Sequence, residues 1–444
     1  MPLGSGGDTS HGLTRLGERG PLALAAALAT ATLYAEGVLK SGWIEGALLA
    51  PVGWFVLASR VPALLPNVLV SLISLCLAVS VLDLCLRPII GTRLHYTPSN
   101  MFTRKLPELP IVGRWDPHVF YRGEAYGDLA AIAGERALRE SRTIVFETDA
   151  AGFRNRDIAG PIDVVVLGDS FSAGVGTTQD QIFASLLERG GHRVYNLSYP
   201  GGPYDQLVNV AIEGPRLSLA PGAWLVWTLY EGNDLDDGYG TVWDPGALPR
   251  NNWLAARLVQ FRTFRNRSPF NQVMAGFRAR MNGPGDGVIE RRLPDGKPLL
   301  FVRAHEAWGQ RSRAEIERHQ NFPGLERSLE AVRNLASVRQ MRLGIVIFPT
   351  KGEVYRWVLD GRPPRAEDEV PSGFAQAVQA ACRRMKVACV DAKPFFVSES
   401  RRLLDSSGEL LWWRDDTHLN GRGHEAVAAL VERELFHEET SRRP

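Results

Sequence analysis

The chain has 444 residues, 45% of them hydrophobic, with a formal net charge of +2. That length exceeds one ordinary domain, by a prior of roughly 100 to 200 residues each, and suffices for a large α/β core with attachments. A charge so near neutrality excludes a dedicated nucleic-acid binder, which carries a strongly basic face.

The first ninety residues differ in kind from the rest. Apolar stretches run over about 21–39, 46–58 and 63–86, separated by Glu36, Lys40, Glu45 and Arg60. The third is long enough to cross a hydrocarbon core, which takes about 20 residues. The first is also adequate and the second is short. Together they are too many and too long for a cleavable signal peptide, so residues 1–90 are expected to form a membrane anchor of about three transmembrane helices. Arg15, Arg19 and Arg60 suit an inside N-terminus and three crossings, which places the remainder outside the cytoplasm, in the periplasm. Arg87, Arg93, Arg104 and Lys105 favour two crossings instead.

Residues 91–160 contain Pro98, Pro107, Pro110 and Pro117, which break any long helix; the segment reads as a connector that packs on the main domain. Within it, Phe146 to Asn155 has an extended apolar start and a Gly turn, the pattern of an edge strand and turn.

The main domain, residues 161–440, is organised around Val164-Val165-Val166-Leu167-Gly168-Asp169-Ser170-Phe171. An apolar, β-branched run bounded by Pro161 and small residues predicts a buried parallel strand delivering Ser170 to a turn, where an open α/β sheet puts its ligands. Further strands are predicted at 194–197, 224–230, 343–348 and 388–391, with helices around 181–187, 204–217, 325–341, 374–385 and 421–436. This alternation predicts a doubly wound, three-layer α/β/α domain. It breaks over 236–323, a segment too long to be bare loop. No zinc spacing occurs among the cysteines. Cys76 and Cys85 fall in an apolar stretch, and Cys382 and Cys389 flank a helix-to-strand turn, where a local disulfide and two reduced thiols are both compatible with the sequence.

A serine hydroxyl is a poor nucleophile until an imidazole accepts its proton. Asp415-Asp416-Thr417-His418 near the C-terminus offers one. Asp415, three residues before His418, is expected to fold back and hold the other ring nitrogen, although the adjacent Asp416 leaves either carboxylate available for that role. Acyl transfer also develops an oxyanion, and its donors must be in place beforehand. The candidates are the amides of Ser170 and Gly201 and the side-chain amide of Asn233, the last two at the ends of later strands. Asp169 is expected to brace the turn, and His424 to sit at a helix start rather than in the mechanism.

Four short blocks in order, Gly168-Asp169-Ser170, Gly201, Gly232-Asn233-Asp234 and Asp415-x-x-His418, make the chain resemble the SGNH, or GDSL, hydrolase superfamily. The resemblance implies a flavodoxin-like domain, Ser170 as nucleophile, His418 as base, Asp415 as orienter, and neither metal nor organic cofactor. Gly202 aligns with the second block as well as Gly201 does. The Asp149 to Asn155 stretch further resembles membrane-tethered bacterial members, some related to polysaccharide O-acetylation proteins.

The expected function is a membrane-anchored serine esterase acting on acyl esters, by preference acetyl, of envelope glycans or lipids. The alternatives are an O-acyltransferase of a cell-surface polysaccharide and a non-catalytic envelope assembly protein. Between residues 250 and 320 fourteen Arg plus Lys stand against six Asp plus Glu. Arg262, Arg265 and Arg267 beside Trp253, Phe261 and Phe264 are either a wall for an anionic glycan or acidic lipid, or an ordinary solvated face.

Overall fold

The computed structural model describes residues 97–106, 113–133, 139–156, 158–236 and 287–436, with Val81 and Cys85. The chain divides into two units, Met1–Leu86 and Arg87–Pro444. The expected membrane anchor lies outside the described residues except for Val81 and Cys85, which are helical and exposed. Among the described residues no helix is long and apolar enough to cross a membrane. The stretch from Trp253 to Arg267 also lies outside them.

The connector forms β1 (Thr103–Lys105), β2 (Gly113–Trp115), β3 (Phe120–Ala125), α1 (Asp128–Ala133) and β4 (Arg142–Glu147). The main domain follows with β5 (Ile162–Leu167), α2 (Phe183–Arg189), β6 (Val194–Asn196), α3 (Pro203–Glu213) and β7 (Leu219–Tyr230). The inserted segment contributes β8 (Val288–Arg292), β9 (Pro298–Val302) and α4 (Arg303–Trp308). After it come α5 (Phe322–Val338), β10 (Arg342–Phe348), α6 (Lys351–Val354), α7 (Gly373–Met385), β11 (Ala388–Asp391), α8 (Lys393–Ser407) and α9 (Gly421–Val431). The five predicted strands and five predicted helices are all present, with ends shifted by a few residues. Helix α8 and the β8–β9 hairpin carry no sequence expectation.

The sheet order is β11-β10-β7-β5-β6, and every pairing is parallel. Counted from β5 this is the 2-1-3-4-5 order of the flavodoxin-like doubly wound fold, whose ligands bind at the strand ends beside the β5/β7 switch point. Alternation along β5 explains the three layers. Val164 and Val166 face one core, with Phe183, Phe396 and Val427, while Val165 and Leu167 face the other, with Leu207, Leu329 and Phe374. A strand apolar on both faces cannot lie at a surface, so helices must cover both sides.

The connector packs on this domain. Trp115, Phe146 and Phe153 join the second core, and buried Arg114 pairs with Glu213 of α3 at 2.6 Å. Beyond β4 the expected turn is present, with Gly152 at φ +83°, and it delivers two buried polar side chains. Asn155 pairs with the edge strand β6: its amide donates to the Asn196 carbonyl at 3.1 Å and its oxygen accepts from the Asn196 N–H at 2.7 Å. Arg154 is 1% exposed and donates to the carbonyls of Ala173, Gly174, Thr177 and Val145 and to Gln179. Burial lowers its pKa to about 9. It thus clamps the loop that follows Ser170. Cys382 and Cys389 are free thiols.

Arg154→Ala strands several buried carbonyls, each costing about 1 to 3 kcal/mol when left without a donor. We expect a loss of about 3 kcal/mol or more in urea-induced unfolding, and an unchanged midpoint would refute the clamp.

Candidate active site

The turn that carries Ser170 is shaped by close packing. At Gly168 a side chain would overlap Thr228 and Ser172, whose hydroxyls hydrogen-bond to each other. Asp169 accepts from the Phe171 N–H at 2.9 Å, bracing the turn, and the Ser170 carbonyl accepts from Val175 N at 3.0 Å. Ser170 is left half-buried at the C-terminal end of β5.

His418 reaches it from a loop ahead of α9. Its Nε2 lies 2.9 Å from Ser170 Oγ, within the range for proton transfer from nucleophile to base. Its Nδ1 lies 2.7 Å from Oδ1 of Asp416, and the same oxygen accepts from the His418 N–H at 3.1 Å. Asp416 therefore folds back in an Asx turn and fixes the tautomer with the proton on Nδ1, leaving Nε2 to accept.

The ring-orienting carboxylate is thus Asp416, and the expectation for Asp415 is corrected. The side chain of Asp415, which lies in a turn, points instead to the connector. There it accepts from the N–H groups of Gly127 and Glu140, each at 2.8 Å, and pairs with Arg142 at 3.1 Å. These partners lie more than 270 positions away in sequence, so no local pattern separates the two aspartates.

Three further residues hold the loop, and sequence reasoning missed all of them. Arg142 of β4 is buried, spans Asp415 and Asp416, the latter at 2.5 Å, and stacks over Trp413 at 4.2 Å. Lys351, at the start of α6, donates to the carbonyls of Trp413, Arg414 and Asp416 at 2.7, 3.2 and 3.0 Å. Burial lowers its pKa to about 8 against the pull of nearby carboxylates. Asp128 of α1 accepts from the N–H and hydroxyl of Thr417 at 2.8 and 2.5 Å. A lone Arg, Lys or Asp in a polar stretch carries no sequence signal for such a role.

The electrostatics favour an acid–base histidine. Burial disfavours the charged imidazole, but the charge and hydrogen bond of Asp416, with Asp128 and Asp169, outweigh it and raise the His418 pKa above 6.5. Asp416 is driven the other way: burial opposes its charge, yet His418 and Arg142 together hold it below the ordinary carboxylate range. Phe171 packs on the ring at 5.1 Å between centroids and stacks on Tyr230 at 4.1 Å.

The oxyanion candidates follow the strands flanking β5: Gly201 comes after β6 and Asn233 after β7. Since all three strands run parallel, Ser170, Gly201 and Asn233 all follow strands at the C-terminal end of the sheet. Gly202 caps α3, whereas Gly201 precedes the cap and is partly exposed. His424 lies in the first turn of α9, stacked on Phe183, and burial lowers its pKa to about 3. The ligand atoms of Asp128, Asp416 and His418 lie within 4.8 Å of one another; a cation there would compete with the Asp416 hydrogen bond that orients the ring.

No protein-family model matches the chain, and no curated protein matches it. Among solved structures it is similar to TesA, at 14% identity and a TM-score of 0.31, over 61% of this chain and 97% of that one. It is also similar to protein YxiM of Bacillus subtilis, at 11% identity and a TM-score of 0.34, over 73% of this chain and 75% of that one. Similarity this low does not bear on mechanism.

Exchanging Asp416 for Asn removes the charge that holds the imidazolium, so the His418 pKa should fall below 6.5, read by NMR titration of the ring. Asp415→Asn should move it much less and instead lower thermal stability. The opposite ranking would reinstate Asp415 as the orienter.

Proposed function

We propose that the chain is a serine ester hydrolase of the SGNH type, with Ser170 as nucleophile, His418 as general base and Asp416 as its orienter. The observation that supports this reading is the continuous line from Asp416 through His418 to Ser170, with contacts of 2.7 and 2.9 Å, at the strand edge where this topology binds ligands. His418 takes the Ser170 proton as Oγ attacks an ester carbonyl. The tetrahedral oxyanion is received by the amides of Ser170 and Gly201 and the side chain of Asn233, where each donor contributes about 3 to 4 kcal/mol to the transition state. As the C–O bond breaks, His418 returns the proton to the departing alcohol, leaving an acyl group on Ser170.

Water, activated by the same imidazole, releases the acid and restores the enzyme. A sugar hydroxyl in its place would give acyl transfer through the same intermediate. The substrate class proposed is an acyl ester, by preference acetyl, of an envelope glycan or lipid, with the domain held at a membrane on its periplasmic side. The apolar stretches of residues 1–90 support that placement.

A fluorophosphonate probe should label the wild-type protein, and Ser170→Ala should lose the label together with ester hydrolysis, the rate falling about 10⁶-fold. A folded wild type that takes no label would exclude the serine mechanism. Because His418 must be neutral to accept a proton and its pKa is raised above 6.5, activity should climb with pH through a limb centred above that value.

A further inference from the structure

We infer that Asp128, delivered by the connector helix α1, is a second carboxylate for His418 and a positioning residue of the active centre. Its catalytic consequence rests on the serine-hydrolase reading; its effect on the charge of the ring does not.

Asp128 Oδ2 lies 4.0 Å from His418 Nδ1, on the same side as Asp416. Its two bonds to Thr417 hold the residue adjoining the base, and the Thr417 hydroxyl is itself 3.2 Å from Nδ1. The reason for a second carboxylate is the arginine. Asp416 gives one oxygen to the ring and the other to Arg142 at 2.5 Å, and a guanidinium so close offsets much of the negative potential that Asp416 alone would present to an imidazolium. Among the described residues Asp128 forms no ion pair with an arginine or lysine: Lys351 feels its charge only at a distance, and no guanidinium is clamped to it as Arg142 is to Asp416.

The remaining groups facing the ring do not replace it. Asp169, from the nucleophile turn, favours the charged ring less than Asp128 does. His305 of α4 and His424 of α9 are held neutral by burial, with pKa values lowered to about 4 and about 3. Tyr230 is buried and keeps its proton. The cations Arg142 and Lys351 address the loop and its aspartates. Burial and the neighbouring Asp416 push Asp128 up to about 7, while the charged ring of His418 pulls it down; its ionisation is linked first to that of Asp416, with which it shares a side-chain hydrogen bond.

The test uses the full chain with isotopically labelled histidine, His418 being assigned by its loss in His418→Gln. In Asp128→Asn, which keeps an acceptor for Thr417 but removes the charge, the His418 pKa should fall by about one unit, a tenfold lower proton affinity. Thr417→Val, which retains the charge, should leave it near the wild-type value. A lower melting temperature in Asp128→Asn with an unmoved His418 pKa would show a purely structural role and overturn the inference. If that variant does not fold, the wild-type titration decides: the His418 ring must show a second inflection as Asp128 ionises, and a single inflection overturns the inference. Fluorophosphonate labelling of Ser170 is scored separately, so an unreactive serine beside a shifted histidine would refute the hydrolase reading and leave the carboxylate role standing.

Discussion

The site depends on Asp416 being held between two partners of opposite purpose. Its Oδ1 binds the ring of His418 and its Oδ2 binds Arg142, so one buried carboxylate is at once a structural ion-pair partner and the group that orients the ring. An unpaired carboxylate with no exposure would cost several kcal/mol. The arginine makes the burial tolerable, and the burial keeps water from weakening the hydrogen bond to the ring. Geometry and electrostatics are set by the same contact.

Arg142 belongs to a segment that looks peripheral in sequence. The connector supplies Gly127, Asp128, Glu140 and Arg142 to the loop that carries His418, and Arg154 and Asn155 to the loop after Ser170 and the edge strand. The sheet thus presents Ser170, while the position of His418 relative to it is fixed by residues that precede the sheet. Lys351 secures the loop from the other side through three backbone carbonyls. A loop of irregular backbone buried in this way needs a donor for each carbonyl, and a lysine with three protons meets that need compactly.

Much of this was legible in the sequence, for identifiable physical reasons. A strand buried on both faces leaves an uninterrupted apolar run, so Val164 to Leu167 announced both the sheet and the end at which Ser170 emerges. The amphipathic helices between later strands showed the same regularity. The contact of Ser170 with His418 was readable because a serine expected to act as a nucleophile needs a base beside it. The choice between Asp415 and Asp416 was not, since it turns on Gly127, Glu140 and Arg142, contacts made only once the chain is folded. Helix α8 was missed because its apolar stripe is thin, with Phe396, Val397, Ser400 and Leu403 as its buried residues beyond the first turn.

Asn155 has a bearing on association as well as on folding. β6 is a three-residue strand at the rim of the sheet, the kind of border along which a foreign strand can add by backbone pairing. At Asn196 both backbone groups are already satisfied by the Asn155 amide, a side chain standing in for a strand. Intermolecular sheet extension along this border would first have to evict that side chain, so the turn that braces the site also guards the domain against polymerising through its β-structure.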